Sequence, residues 1–91
     1  MMKQRYLEVT YRGGKALAAY FYLPRSDGDT AARTVEAIPG LLVDYSPDGR
    51  PIGIEMTAPA VVTVQTLNRL LSTLGQHPAN EADLLPLSTA A

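Results

Sequence analysis

The sequence predicts a small α+β domain: a mainly antiparallel sheet of about five strands, two hairpins plus a short strand, followed by one amphipathic helix. Residues 6–23 form two strand-like runs around a Gly-Gly pair. Residues 33–56 hold three short apolar or β-branched runs separated by turn residues. Residues 63–75 carry leucines at helical spacing.

The first hairpin is YLEVTYR, Tyr6 to Arg12, and ALAAYFYL, Ala16 to Leu23, joined at Gly13-Gly14. Both central residues of a type I′ turn need positive φ, which glycine adopts without a side-chain clash. PRSDGDTAA, Pro24 to Ala32, concentrates residues that turn the backbone and reads as a surface loop. RTVEAI follows as a short strand ended by Pro39-Gly40, and LLVDY, Leu41 to Tyr45, pairs with PIGIEM, Pro51 to Met56, across SPDGR.

That second hairpin also spells a calcium loop. DYSPDGRPIGIE, Asp44 to Glu55, has an acid first, oxygen-bearing side chains third and fifth, Gly sixth and Glu twelfth. The flanks oppose this reading, because a helix entering at Asp44 would have to run through Pro39-Gly40 and the residues after Glu55 soon reach Pro59. Ser46, Pro47, Asp48 and Gly49 instead satisfy a type I turn, with Ser first, Pro second and Gly fourth. Gly49 in the left-handed region would set Ser46 opposite Arg50.

Carried outward, this register places Asp44 opposite Ile52 and Leu42 opposite Ile54 on one face. It places Tyr45, Val43 and Leu41 opposite Pro51, Gly53 and Glu55 on the other. Asp44 and Glu55 then lie on opposite faces, which keeps them from acting as a pair. In the first hairpin, Val9, Leu7 and Tyr20 share one side and Leu17, Phe21 and Tyr6 the other. A sheet apolar on both faces is expected to need two covers.

The helix is one cover. TVQTLNRLLSTLG aligns Val64, Leu67, Leu70, Leu71 and Leu74, with Thr63 as N-cap and Gly75 just past the C-terminus. Its polar face holds Gln65, Asn68, Arg69, Ser72 and Thr73. Residues 1–75 form the domain, and residues 76–91 are expected to be a loosely ordered tail. The second cover is expected to be another polypeptide, most simply a second copy, seated on Leu41, Val43 and Tyr45. The expected role is a non-catalytic interaction module and homodimer, its heterologous version capping a small partner protein.

The run TVEAIPGLLVDYSPDGRPIGIEM, with AAYFYL upstream, resembles the signature of a family of small bacterial proteins catalogued only as a domain of unknown function. Asp44, Asp48, Gly49, Gly53, Ile54 and Glu55 carry the resemblance, spaced Asp-Tyr-x-x-Asp-Gly-x-x-x-Gly-Ile-Glu. It implies a small antiparallel sheet with a helix and brings no reaction. Family members carry an Asp before the strand that AAYFYL resembles, where this chain has Leu17 and Ala18, and a longer loop in place of Gly13-Gly14.

Composition narrows the remaining classes. The 91 residues support one modest core, and the absence of cysteine excludes disulfides and thiolate metal sites. MMKQRYLEV lacks an apolar signal core, so a cytoplasmic location is expected. No apolar run approaches the ~20 residues of a membrane span. Net charge is −1, yet Lys3, Arg5, Arg12, Lys15 and Arg25 face only Glu8 up to residue 25, accompanied by Tyr6, Tyr11, Tyr20 and Tyr22. RNA binding would need these basic and aromatic residues on one exposed face, and the chain as a whole lacks the basic excess of a nucleic-acid binder. Asp44, Glu55 and the hairpin tyrosines carry a ligand-binding or enzymatic alternative, which a deep pocket holding two of them would favour. His77 stands alone before Pro78, the serines lack a nucleophile-elbow context, and no Gly-rich loop precedes a helix. No catalytic, metal or cofactor-binding residue is assigned.

Overall fold

The computed structural model describes residues 2–3 and 5–88. The strands are β1 (Met2–Lys3), β2 (Tyr6–Arg12), β3 (Lys15–Tyr22), β4 (Arg25–Ser26), β5 (Arg33–Ile38), β6 (Leu41–Tyr45) and β7 (Pro51–Met56). A 3₁₀ turn at Pro59–Val61 leads into helix α1 (Val64–Thr73), and a second 3₁₀ turn at Glu81–Leu84 into a short helical turn, α2 (Leu85–Ser88). Five strands make one antiparallel sheet in the order β2-β3-β7-β6-β5, while β1 pairs with β4. This is the expected α+β architecture. Among the described residues, no helix is long and apolar enough to cross a membrane.

The turns form as their residues dictate. Arg12 faces Lys15 across Gly13 and Gly14, whose φ values of 59° and 78° complete a type I′ turn. In the second hairpin, the Gly49 amide donates to the Ser46 carbonyl at 2.9 Å and the Ser46 amide to the Arg50 carbonyl at 2.8 Å. Gly49 has φ 88°, so the Asp44–Glu55 segment is a β-hairpin around a type I turn with a left-handed glycine. The buried Ser46 hydroxyl accepts from the Arg50 amide and donates to the Asp48 carboxylate. The Arg50 guanidinium bridges Asp48 at 2.8 Å and Asp29 at 2.9 Å.

Beyond these turns, the registers differ from the simple pairing in three places. Thr10 faces Ala18 and Tyr11 faces Ala16, leaving Leu17 as an extra residue. Asp44 faces Gly53 and Tyr45 faces Pro51, leaving Ile52 extra. Glu36 faces Leu42 and Ile38 faces Leu41, leaving Ala37 extra. Each is a β-bulge, and one extra residue moves every side chain beyond it to the other face.

The bulges sort the sheet. Leu7 pairs with Phe21, Val9 with Ala19, Val43 with Ile54 and Leu41 with Met56, and these residues turn one apolar face toward Leu67, Leu70 and Leu71 of α1. Tyr6, Glu8, Tyr20, Tyr22, Asp44, Gly53 and Glu55 fall on the opposite face. Two expectations are thereby corrected. Asp44 and Glu55 share a face, and the sheet has one apolar face rather than two.

The interface candidates change place for the same reason. Leu41 and Val43 are 2% and 0% exposed, and Tyr45 packs half-buried at the core's edge beneath the Arg33 guanidinium, 4.7 Å from its ring centre. They face this chain's own helix. The inference that a second polypeptide must cover them therefore loses its premise.

Helix α1 is capped as expected. Thr63 Oγ1 accepts from the Thr66 amide at 3.1 Å. At the other end Gly75 has φ 70°, and the Gln76 amide donates to the Leu71 carbonyl at 2.9 Å, the Schellman arrangement. The segment that follows, expected to be loosely ordered, is tied down through residue 88; residues 89–91 lie outside the described residues. Arg5 donates to the carbonyls of His77 and Pro78, and Tyr11 to that of Pro86. The Asn68 side chain exchanges two hydrogen bonds with the Ala79 backbone. Asn80 and Asp83 form a capping box, and Leu84 enters the core beside α1. The tail adds Leu84 and Leu87 to the cover of the apolar face.

Two measurements test this arrangement. Val43→Glu places a carboxylate in a fully buried site and is expected to abolish the cooperative thermal transition rather than convert a dimer to a folded monomer; a folded Val43→Glu monomer would contradict the register. Gly49→Val should lower stability by about 1 kcal/mol or more.

The Asp48 turn also predicts a pH dependence. Hydrogen bonds from Arg50, then Ser46, hold the Asp48 pKa down from 3.8 to about 2. The folded value lies below the unfolded one, so this stabilisation is present above 3.8 and is lost as pH falls through about 2. The acid decline in melting midpoint over that window should be shallower for Asp48→Asn than for the parent.

Candidate functional site

The bulge at Leu17 assembles three tyrosines at one end of the polar face. It sets Tyr6 opposite Tyr22 and Glu8 opposite Tyr20. The Tyr6 and Tyr22 rings stack with centroids 4.3 Å apart and planes 13° apart, and Tyr20 meets Tyr22 edge-on at 4.7 Å. Both geometries suit the quadrupoles of aromatic rings.

The chain leaving β3 raises a wall beside these rings. The Ser26 amide donates to the Asp29 carboxylate at 2.8 Å and the Asp29 amide to the Ser26 carbonyl at 3.2 Å, with Gly28 at φ 85° between them. Arg50 anchors this turn through Asp29, whose carboxyl is held below its ordinary pKa first by that hydrogen bond. Arg25 lies with its guanidinium 5.5 Å from the Tyr22 ring centre and donates to the Asp29 carbonyl at 3.1 Å. Rings and wall enclose an open hollow of about 550 Å³, lined by Tyr6, Glu8, Tyr20, Tyr22, Arg25 and the turn that follows.

Beneath the hollow, Tyr20 ties four strands together. A Cβ on Gly53 would stand 2.0 Å from the Tyr20 hydroxyl oxygen and 2.2 Å from Cζ, so the phenol lies across β7 where only glycine leaves room. Its hydroxyl donates to Asp44 Oδ2 on β6 at 2.7 Å, and Asp44 Oδ1 accepts from the Thr34 hydroxyl on β5. Burial pushes the Tyr20 phenol pKa up, and the hydrogen bond and charge of Asp44 push the same way against a smaller opposing effect of Arg25. The Tyr22 phenol is raised as well, by burial and then by Glu8. Both tyrosines therefore stay protonated at neutral pH and act as donors.

This geometry gives roles to the residues singled out by sequence. Asp44 and Gly53 belong to the Tyr20 tie, Ser46, Asp48 and Gly49 to the hairpin turn with Pro47 exposed at its corner, and Ile54 to the core. Glu55 is exposed on the polar face opposite Tyr20, outside the lining of the hollow. Asp44 and Glu55 thus share a face without forming a pair in the pocket. Among the described residues, no group of three or more His, Cys, Asp or Glu gathers to hold a metal.

Sequence reasoning grouped the tyrosines but missed the wall. The available signal was Ser26-Asp27-Gly28-Asp29, a turn sequence read only as loop. No family model, curated protein or solved structure matches the chain, so these roles rest on geometry alone.

The Tyr20 tie predicts coupling between two strands. Gly53→Ala should displace the phenol from Asp44 and destabilise the fold by about 1–3 kcal/mol. In a Tyr20→Ala background the same substitution should cost much less, because the clash has been removed. Urea unfolding of the four proteins measures this, and strict additivity would contradict the contact.

Proposed function

We propose that the protein is a small-ligand-binding module whose recognition site is the tyrosine-lined hollow. The observation that carries this reading is a hollow of about 550 Å³ with three tyrosines in its lining, one of them, Tyr6, 50% exposed. Ligand sites commonly occupy about 300–1,000 Å³ and combine aromatic surface with a few placed polar groups. Ring stacking and the Tyr20–Asp44 bond hold the platform in place before a ligand arrives, which reduces the ordering cost of binding.

The hollow uses the hairpin tyrosines of the ligand-binding alternative, with Glu8, Arg25, Asp27 and Asp29 as its charged lining in place of Asp44 and Glu55. An RNA-binding role fits less well. Arg5 is engaged by the tail, and Arg12 and Lys15 flank the Gly-Gly turn at the far end of the hairpin from Tyr6. Glu8, Asp27 and Asp29 accompany Arg25 in the lining, so the hollow offers no excess of positive charge to a polyanion.

The test is a screen of small aromatic fragments by amide NMR on the whole chain. Binding fragments are expected to shift Tyr6, Glu8, Tyr20 and Tyr22, and Tyr6→Ala should remove those shifts while leaving a cooperative melt. Shifts confined to the separate groove lined by Pro59, Val62, Val64, Leu84 and Leu87, or none at all, would overturn the reading.

A further inference from the structure

We infer that the hollow recognises a small aromatic zwitterion, a flat ring carrying one carboxylate and one ammonium group. This specification rests on the ligand-binding reading above. Two oppositely charged side chains border the ring platform without an ion-pair partner among the described residues. Arg25 contacts the Tyr22 ring and the backbone carbonyl of Asp29, while the Asp29 carboxylate is taken by Arg50 and the Ser26 amide. A guanidinium has five N–H donors in a planar fork matched to a carboxylate; here one is committed to the Asp29 carbonyl and the side chain also hydrogen-bonds the Tyr20 phenol, which leaves further donors for a ligand carboxylate.

Glu8 completes the requirement. It faces Tyr20 across the strand pair, is exposed, and accepts one long hydrogen bond of 3.4 Å from the Tyr22 hydroxyl. A ligand ammonium can replace or share that bond with a stronger, charge-assisted one. Tyr6, stacked on Tyr22 and half-exposed, offers surface for an aromatic ring to extend the stack.

Charge selects among ligands of this size. A phosphorylated ring would bring a dianion beside Glu8, which has no ion-pair partner among the described residues, and an aromatic amine would set its cation beside Arg25 with nothing to engage the guanidinium. A zwitterion satisfies both signs.

The experiment titrates the whole chain with L-tryptophan, indole-3-acetate and tryptamine, three probes sharing one ring and differing in charge. L-tryptophan should bind about tenfold more tightly than either of the others, the effect of one charge-assisted hydrogen bond. Arg25→Gln should reduce its affinity to the level of tryptamine, with Arg25→Lys intermediate. Glu8→Gln, an exposed substitution, should reduce it to the level of indole-3-acetate. Equal binding of all three probes at the tyrosines, or tighter binding of a singly charged probe, would overturn the zwitterion while leaving the hollow as a ligand site. If no probe moves Tyr6, Tyr20 or Tyr22 at millimolar concentration but other aromatic fragments do, the zwitterion alone falls. If no fragment moves them, the ligand-binding reading falls with it.

Discussion

The parity of side chains across a sheet governs this structure. A strand alternates its side chains between two faces, so a hairpin whose apolar residues occupy both parities cannot bury them all against one helix. Leu17, Ile52 and Ala37 each stand as an unpaired extra residue in one of three successive hairpins, and each reverses the parity of what lies beyond it. A 10-residue helix, with the segment after it, then covers the centre of the apolar face, leaving Val35 on the edge strand 40% exposed. The same reversals give the opposite face its tyrosines and carboxylates. Core and candidate site follow from one set of irregularities.

The polar face is also braced across its strands. Tyr20 spans β7 over Gly53 to reach Asp44, which in turn holds Thr34. Asp44 therefore has a structural explanation that does not require a metal or a reaction. Arg50 supplies a second brace by joining the Asp48 turn to Asp29, and so the wall of the hollow is set by a hairpin distant from it in sequence. A ligand would meet rings and wall already in position.

Much of the fold was legible because its signals are local. The spans Arg33–Ile38, Leu41–Tyr45 and Pro51–Met56 coincide with runs bounded by turn residues, and the Thr63 and Gly75 caps lie where their side-chain chemistry places them. The bulges were not legible in the same way. Leu17, Ile52 and Ala37 sit within apolar runs and carry no turn chemistry, so their position depends on which neighbours the helix must cover. A trace of two of them was present in the apolar residues on both parities of the hairpins at Gly13-Gly14 and Ser46–Gly49, which the simple register turned into two apolar faces. Of the site, the tyrosines could be grouped from sequence. The Arg50–Asp29 contact joins residues 21 positions apart, and neither residue's local context announces it.

The two ends of the described chain meet across the molecule. Arg5 holds carbonyls at His77 and Pro78, and Tyr11 holds that of Pro86, contacts that span 72 to 75 positions. Such long loops are slow to close, because chain entropy is lost before the contact forms. On the ribosome, the five sheet strands emerge before α1 and Leu84, which shield their apolar side. The nascent chain therefore passes through an interval in which Phe21, Val43 and Ile54 have no cover, and the interval closes only when the segment around Leu84 has been translated and can fold back. Exposed apolar sheet surface of this kind is prone to aggregate, and the interval of synthesis before Leu84 folds back is when this chain presents it.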